Sequence, residues 1–209
     1  MTRFEVYKKL DKHKLVGVIR AKSASAAFEI VDNLVRSGVK IIEITFTTPG
    51  ADKIINYLSE KYFGSDILIG AGTVIDAETA RIAILNGAKF IVTPGVCLDT
   101  IKLCNRYSIT IIPGIQTPTE LLSVLEYGIS FVKLFPSNIQ TLKALRGPFE
   151  NVKFMATGGI TKYNLTEWLD AGVDAIGSGS ELTKEDADVK FWTSTIARYS
   201  TITKDGEAK

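Results

Sequence analysis

A short passage recurs four times along the chain: Ser37-Gly38-Val39-Lys40-Ile41, Asn86-Gly87-Ala88-Lys89-Phe90, Tyr127-Gly128-Ile129-Ser130-Phe131 and Ala171-Gly172-Val173-Asp174-Ala175. Each time a helical pattern ends, a glycine takes the position just past the helix, and an apolar and a polar residue lead into a strand. The glycines lie 49, 41 and 44 residues apart. Each interval holds two strand–helix units, so four links imply eight, and internal repetition of this kind constrains a fold more than any single motif. Strands that are apolar throughout and alternate with helices belong to a parallel sheet covered by helices. A single (β/α)8 barrel domain is the simplest closure, although 209 residues is lean for it. An open doubly wound sheet is the second option; against it, no GxGxxG follows the first strand.

Taken in order, residues 1–12 read as an amphipathic helix, with residues 1–13 set before the barrel at 14–200. The expected strands are Leu15–Ile19, Val39–Ile44, Ile67–Ile69, Phe90–Val92, Ile109–Ile112, a segment around Lys133, Val152–Met155 and Ala175–Ile176. Helices fall between them: one capped by Ser23 and running to Arg36, one after Pro49, then Asp76–Leu85, Asp99–Tyr107, one capped by Thr117, Thr141–Arg146, Lys162–Asp170 and about 185–199. Gly70-Ala71-Gly72-Thr73 reads as a loop, and Lys204–Lys209 as a frayed polar tail within 201–209.

Charge excludes several partners. The net charge is only +2, which leaves no basic stripe for nucleic acid. No apolar run of about 18 residues is present to span a membrane, and Met1 to Lys14 lacks the apolar centre of a signal peptide. Cys97 and Cys104 lie about 10 Å apart along one expected helix, too far for a disulfide. With one histidine and two cysteines, a zinc site is not expected. His13, beside a helix end, reads as structural or merely exposed. The expectation is a reduced cytoplasmic protein.

The chemistry centres on Phe131-Val132-Lys133-Leu134-Phe135-Pro136. An ammonium among Val, Leu and Phe is costly to desolvate, and desolvation favours the neutral, nucleophilic amine. Such a lysine can also snorkel out or sit on an edge strand. Glu43, between Ile42 and Ile44, is the other charged group inside an apolar strand. Residues flanked in this way face the barrel interior, and active sites in such barrels lie at the C-terminal ends of the strands. Lys133 and Glu43 are therefore either a structural ion pair or a nucleophile with its acid/base partner. Thr157-Gly158-Gly159 and Gly179-Ser180 close the last two strands; their backbone N–H groups can hold a phosphate, or the glycines can serve turn geometry alone. An amine, a carboxylate and a phosphate site together suggest Schiff-base chemistry on a phosphorylated keto compound.

Val18-Ile19-Arg20, Ile42-Glu43-Ile44-Thr45, Gly70-Ala71-Gly72-Thr73-Val74, Thr93-Pro94-Gly95, Pro113-Gly114-Ile115, Val132-Lys133-Leu134-Phe135-Pro136, Thr157-Gly158-Gly159-Ile160 and Gly179-Ser180 stand in the same order as the landmarks of one family. Over roughly Leu15 to Lys184 the sequence resembles the class I aldolases for 2-keto-3-deoxy-6-phosphogluconate (KDPG) and 4-hydroxy-2-oxoglutarate (KHG). The resemblance implies that Lys133 forms the Schiff base and that Glu43 is the general acid/base. It places Thr73 and Pro94 in the pyruvate pocket and Thr157 near the carboxylate. Gly158, Gly159, Gly179 and Ser180 would hold the phosphate, with Arg20 adding charge. It also implies a homotrimer and no metal or other cofactor, with a small-molecule substrate as the partner.

Three positions and one stretch depart from the family pattern. Thr47 stands where some members have arginine, Ala156 where proline is common, and Glu181 where an apolar residue is common. The stretch Pro136 to Thr141 is shorter and lacks the usual glycines. The alternatives are an aldolase for the galactonate epimer, a phosphate-binding isomerase or synthase barrel, and a non-catalytic phosphosugar-binding paralogue.

Overall fold

Each of the four recurring glycines adopts a left-handed backbone, with φ of +96°, +96°, +73° and +80° at Gly38, Gly87, Gly128 and Gly172. The residue after each donates its N–H to a carbonyl five positions back, as in Val39 to Leu34 and Ala88 to Ala83, both at 3.0 Å. This closure ends a helix and turns the chain into the next strand. The computed structural model describes residues 1–184 and 186–206, with side chains through residue 199.

The elements in order are α1 (Arg3–His13), β1 (Leu15–Ile19), α2 (Ala24–Arg36), β2 (Ile41–Thr45), α3 (Ala51–Lys61), β3 (Leu68–Gly72), α4 (Ala77–Leu85), β4 (Phe90–Val92), α5 (Leu98–Arg106), β5 (Thr110–Ile112), β6 (Gly114–Ile115), α6 (Pro118–Leu125), β7 (Phe131–Leu134), α7 (Ile139–Arg146), β8 (Lys153–Thr157), α8 (Leu165–Asp170), β9 (Ala175–Ser178), α9 (Ser180–Thr183) and α10 (Val189–Gly206). All the strand pairings are parallel, in the order β5-β4-β3-β2-β1-β9-β8-β7-β6. β5 and β6 are two halves of one barrel strand, broken at Pro113. Proline has no N–H for the ladder, yet its carbonyl accepts from Lys133 N–H at 2.8 Å. The sheet thus closes as a (β/α)8 barrel.

Strand alternation divides the apolar residues into two layers. Ile42, Ile44, Val132, Leu134 and Ala156 face the helices. Val16, Ile41, Leu68, Phe90, Ile112, Phe131, Met155 and Ala175 fill the interior, joined by Val6 and Leu10 of α1. The first helix therefore plugs the barrel where the strands begin. Thr2 and Glu5 form a reciprocal capping box that fixes its start.

Three expectations are corrected. Gly70-Ala71-Gly72 belongs to β3 instead of a loop, because the glycines answer a need for space: a side chain on Gly70 would strike the Phe90 ring. The last helix begins at Val189, where Asp188 Oδ1 accepts the Phe191 N–H at 3.0 Å, and it runs to Gly206 because no glycine or proline stops it earlier. The expected polar tail is thus helical backbone over 204–206, and residues 207–209 lie outside the described residues. The short helix α9 was not expected.

Candidate active site

Glu43 and Lys133 both point into the barrel, each two residues beyond an interior apolar side chain, Ile41 and Phe131. Glu43 is 1% exposed and Lys133 7%. Burial pushes the Glu43 carboxyl above its ordinary 4.5, against the opposing pull of Lys133 and then Arg20. Its Oε2 is buried without a hydrogen-bond partner. Among the described residues, Glu43 and Lys133 do not form an ion pair. A structural ion pair would hold the two groups in contact to offset their desolvation. Here an acid and an amine share one interior without being spent on each other.

Phe135 continues the Lys133 face, and the lysine Nζ stands 4.8 Å from its ring centre. The same ring lies beside Gly158, where a Cβ would come 3.6 Å from Phe135 Cε2. Ser137 Oγ donates to the Gly158 carbonyl at 2.6 Å. These contacts tie the loop after Lys133 to the glycine turn after β8.

That turn opens a cleft of about 360 Å3 whose lining includes Arg20, Thr157, Gly158, Gly159, Gly179 and Ser180. Six of the ten residues singled out from the sequence thus meet around one space. Lys133, Glu43, Thr73 and Pro94 are not in its lining. Gly158 and Gly159 carry φ of +95° and +70°, conformations that suit glycine. The Thr157 hydroxyl is buried and unpartnered. It is packed against Gly177, where a Cβ would come 2.5 Å from Oγ1.

Thr73 closes β3 with φ of +55°. A β-branched residue in the left-handed region is strained, and such strain concentrates at ligand sites. Pro94 is half-buried after β4, and its carbonyl packs so closely on Gly114 that no side chain fits there. His13 lies at the opposite end of the barrel, with α1. Its Nε2 is 3.3 Å from Asp66 Oδ2, and burial lowers its pKa against the pull of Asp66. Cys97 and Cys104 are free; burial pushes the Cys104 thiol up to about 12. Among the described residues, no group of three or more His, Cys, Asp or Glu side chains is arranged to hold a metal, and no helix is long and apolar enough to cross a membrane.

The model for the KDPG and KHG aldolases matches residues 6–195. The chain belongs to this family. Its similar relatives include the 2-dehydro-3-deoxy-phosphogluconate aldolase of Haemophilus influenzae, 37% identical over 80% of each chain. The 2-dehydro-3-deoxy-6-phosphogalactonate aldolase of Escherichia coli is 33% identical over 82% of this chain and 85% of that one. A solved KDPG aldolase from Legionella pneumophila, with pyruvate captured as a covalent carbinolamine intermediate, superimposes with a TM-score of 0.79. It is 30% identical, covering 93% of this chain and 94% of that chain.

The departures from the KDPG and KHG aldolase pattern have local explanations. Glu181 lines the cleft, but its carboxylate is held by Lys184 Nζ at 3.2 and 3.1 Å. Ala156 faces the helix layer and never meets the cleft. Thr47 is bonded to Thr45, 2.9 Å between hydroxyl oxygens. For the short loop after Pro136, Asn138 Oδ1 accepts the Thr141 N–H at 3.1 Å and starts α7 three residues beyond the proline. Phe135, Gly72 and Ser137 also border the site, although the sequence alone does not mark them as site residues. Phe135 was recoverable from alternation, two residues beyond Lys133; the other two depend on contacts between strands.

Proposed function

We propose that this chain is a class I aldolase that reversibly cleaves KDPG to pyruvate and glyceraldehyde 3-phosphate, with KHG as a second substrate. The observation that carries the reading is the pairing of a buried, unsalted Lys133 with a buried Glu43 whose carboxyl is kept toward its protonated form. Membership of the KDPG and KHG aldolase family supports it, as does the carbinolamine held by the Legionella relative.

The Lys133 amine adds to the C2 ketone to give a carbinolamine. Glu43, acting through a bridging water, supplies the proton with which the carbinolamine hydroxyl leaves, and an iminium forms. The resulting Glu43 carboxylate takes the C4 hydroxyl proton. The C3–C4 bond breaks, its electron pair moves into the iminium as an enamine, and the aldehyde departs. Glu43 returns the proton to C3, and water releases pyruvate from Lys133.

Thr73, Pro94 and Thr157 enclose the pyruvate part. The cleft formed by Arg20, Gly158, Gly159, Gly179 and Ser180 takes the phosphate, using backbone N–H groups and one guanidinium. The same reading takes the assembly to be a cytoplasmic homotrimer, which analytical ultracentrifugation can measure.

Pyruvate release from KDPG, from its galactonate epimer and from KHG, followed with lactate dehydrogenase, tests the substrate. The reading expects KDPG to have the highest kcat/KM. A preference for the galactonate epimer would move the assignment to that branch of the family. Folded protein with no turnover of any of the three would leave a binding paralogue.

A further inference from the structure

β1 stops at Ile19, and Arg20, the next residue, lines the cleft. Arg20 is exposed and forms no ion pair among the described residues. The Glu43 carboxyl feels its charge but is not within ion-pair distance, so the course of the backbone bears on where the guanidinium points. That backbone is held on both sides by buried hydroxyls from the end of β2. Ala21 N–H donates to Thr48 Oγ1 at 3.2 Å, and Thr48 Oγ1 lies 3.4 Å from the Ile19 carbonyl, to which it can donate. Thr45 Oγ1 donates to the same carbonyl at 2.9 Å. Its one hydrogen is then used, so the 2.9 Å contact with Thr47 makes Thr47 the donor and Thr45 the acceptor.

Thr45 and Thr48 are almost wholly buried. Buried hydroxyls need partners, and these two find theirs in the residues flanking Arg20. Thr48 is itself anchored: its N–H donates to the Thr45 carbonyl at 2.9 Å, and its carbonyl accepts from Ala51 at 3.1 Å, at the start of α3.

We propose that Thr48, backed by Thr45 and Thr47, is the positioning residue for Arg20, clamping the backbone on either side of it so that the guanidinium enters the phosphate cleft. This rests on the reading of Arg20 as a phosphate ligand. It gives Thr47 a use in this chain: where some family members carry arginine, the hydroxyl completes the brace behind Arg20.

Thr48→Val keeps the side-chain shape and removes the hydroxyl. It should raise KM for KDPG about tenfold with kcat nearly unchanged, the scale of one lost polar contact. KM for KHG, which has no phosphate, should move less than about twofold, on the order of 0.5 kcal/mol or less. Thr48→Ser should restore the KDPG value, and adding Thr48→Val to Arg20→Ala should cost nothing further. Equal losses on KDPG and KHG, or a full additional loss on top of Arg20→Ala, would overturn the positioning role. If Arg20→Ala itself affected both substrates alike, the phosphate reading of Arg20 would fall first and the clamp with it. Should Thr48→Val not fold, Thr45→Val tests the same selectivity.

Discussion

Gly72 leaves no room for a side chain, because the Glu43 carboxylate occupies the space where its Cβ would stand. The two meet from adjacent strands, with Gly72 opposite Thr45 and Glu43 opposite Gly70. The carboxylate lies against bare backbone, and any larger residue must displace it.

Gly72→Ala should therefore act as a mutation of Glu43. Steady-state cleavage of KDPG should fall at least about 10²-fold, the usual contribution of a general acid/base. Pyruvate adduct formation on Lys133 should slow as well, since the proposed mechanism uses the same group for carbinolamine dehydration. A fully active Gly72→Ala enzyme would mean that the carboxylate can move without loss.

Glu43→Gln should separate activity from stability. A carboxyl whose folded pKa lies above its unfolded value binds more protons in the folded state across that interval, so ionisation costs stability as pH rises from 4.5 upward. The variant should lose at least about 10²-fold in rate. It should also melt higher than wild type at neutral pH, the difference shrinking as pH falls toward 4.5. Thermal melts at several pH values check the sign. A variant less stable than wild type at neutral pH would show that the ionised group is satisfied in the fold.

The pairing of Glu181 with Lys184 predicts a charge effect at the cleft. Lys184→Ala frees a carboxylate beside the proposed phosphate position and should raise KM for KDPG a few-fold, about the scale of one exposed ion pair. KM for KHG, whose distal anion is a singly charged carboxylate attached directly to C4, should change less. Glu181→Gln should lower the KDPG value. About 1 M salt should remove most of both differences, since screening then reaches within about 3 Å.

How much of this was legible in the sequence depends on the range of the contact. Alternation around Ile42-Glu43-Ile44 and Val132-Lys133-Leu134 placed both charges inside the barrel, because side-chain direction in a strand is local. The four glycine links gave the helix ends for the same reason. Gly70-Ala71-Gly72 reads as a loop from sequence because composition cannot distinguish glycine needed for a turn from glycine needed for space; Phe90 and Glu43 supply the reason, and both lie on neighbouring strands. The four-residue α9 is too short for periodicity to reveal. The threonine clamp on Arg20 joins positions 26 to 29 apart and required the β1–β2 register to be seen.

The central claim is that Lys133 is the Schiff-base nucleophile. Borohydride reduction in the presence of pyruvate, followed by peptide mass mapping, tests it most directly. The account predicts one reduced pyruvyl adduct, on Lys133, and none in a folded Lys133→Ala variant. An adduct on another lysine, or none on folded wild-type protein, would contradict it and leave Lys133 a structural group in the barrel interior.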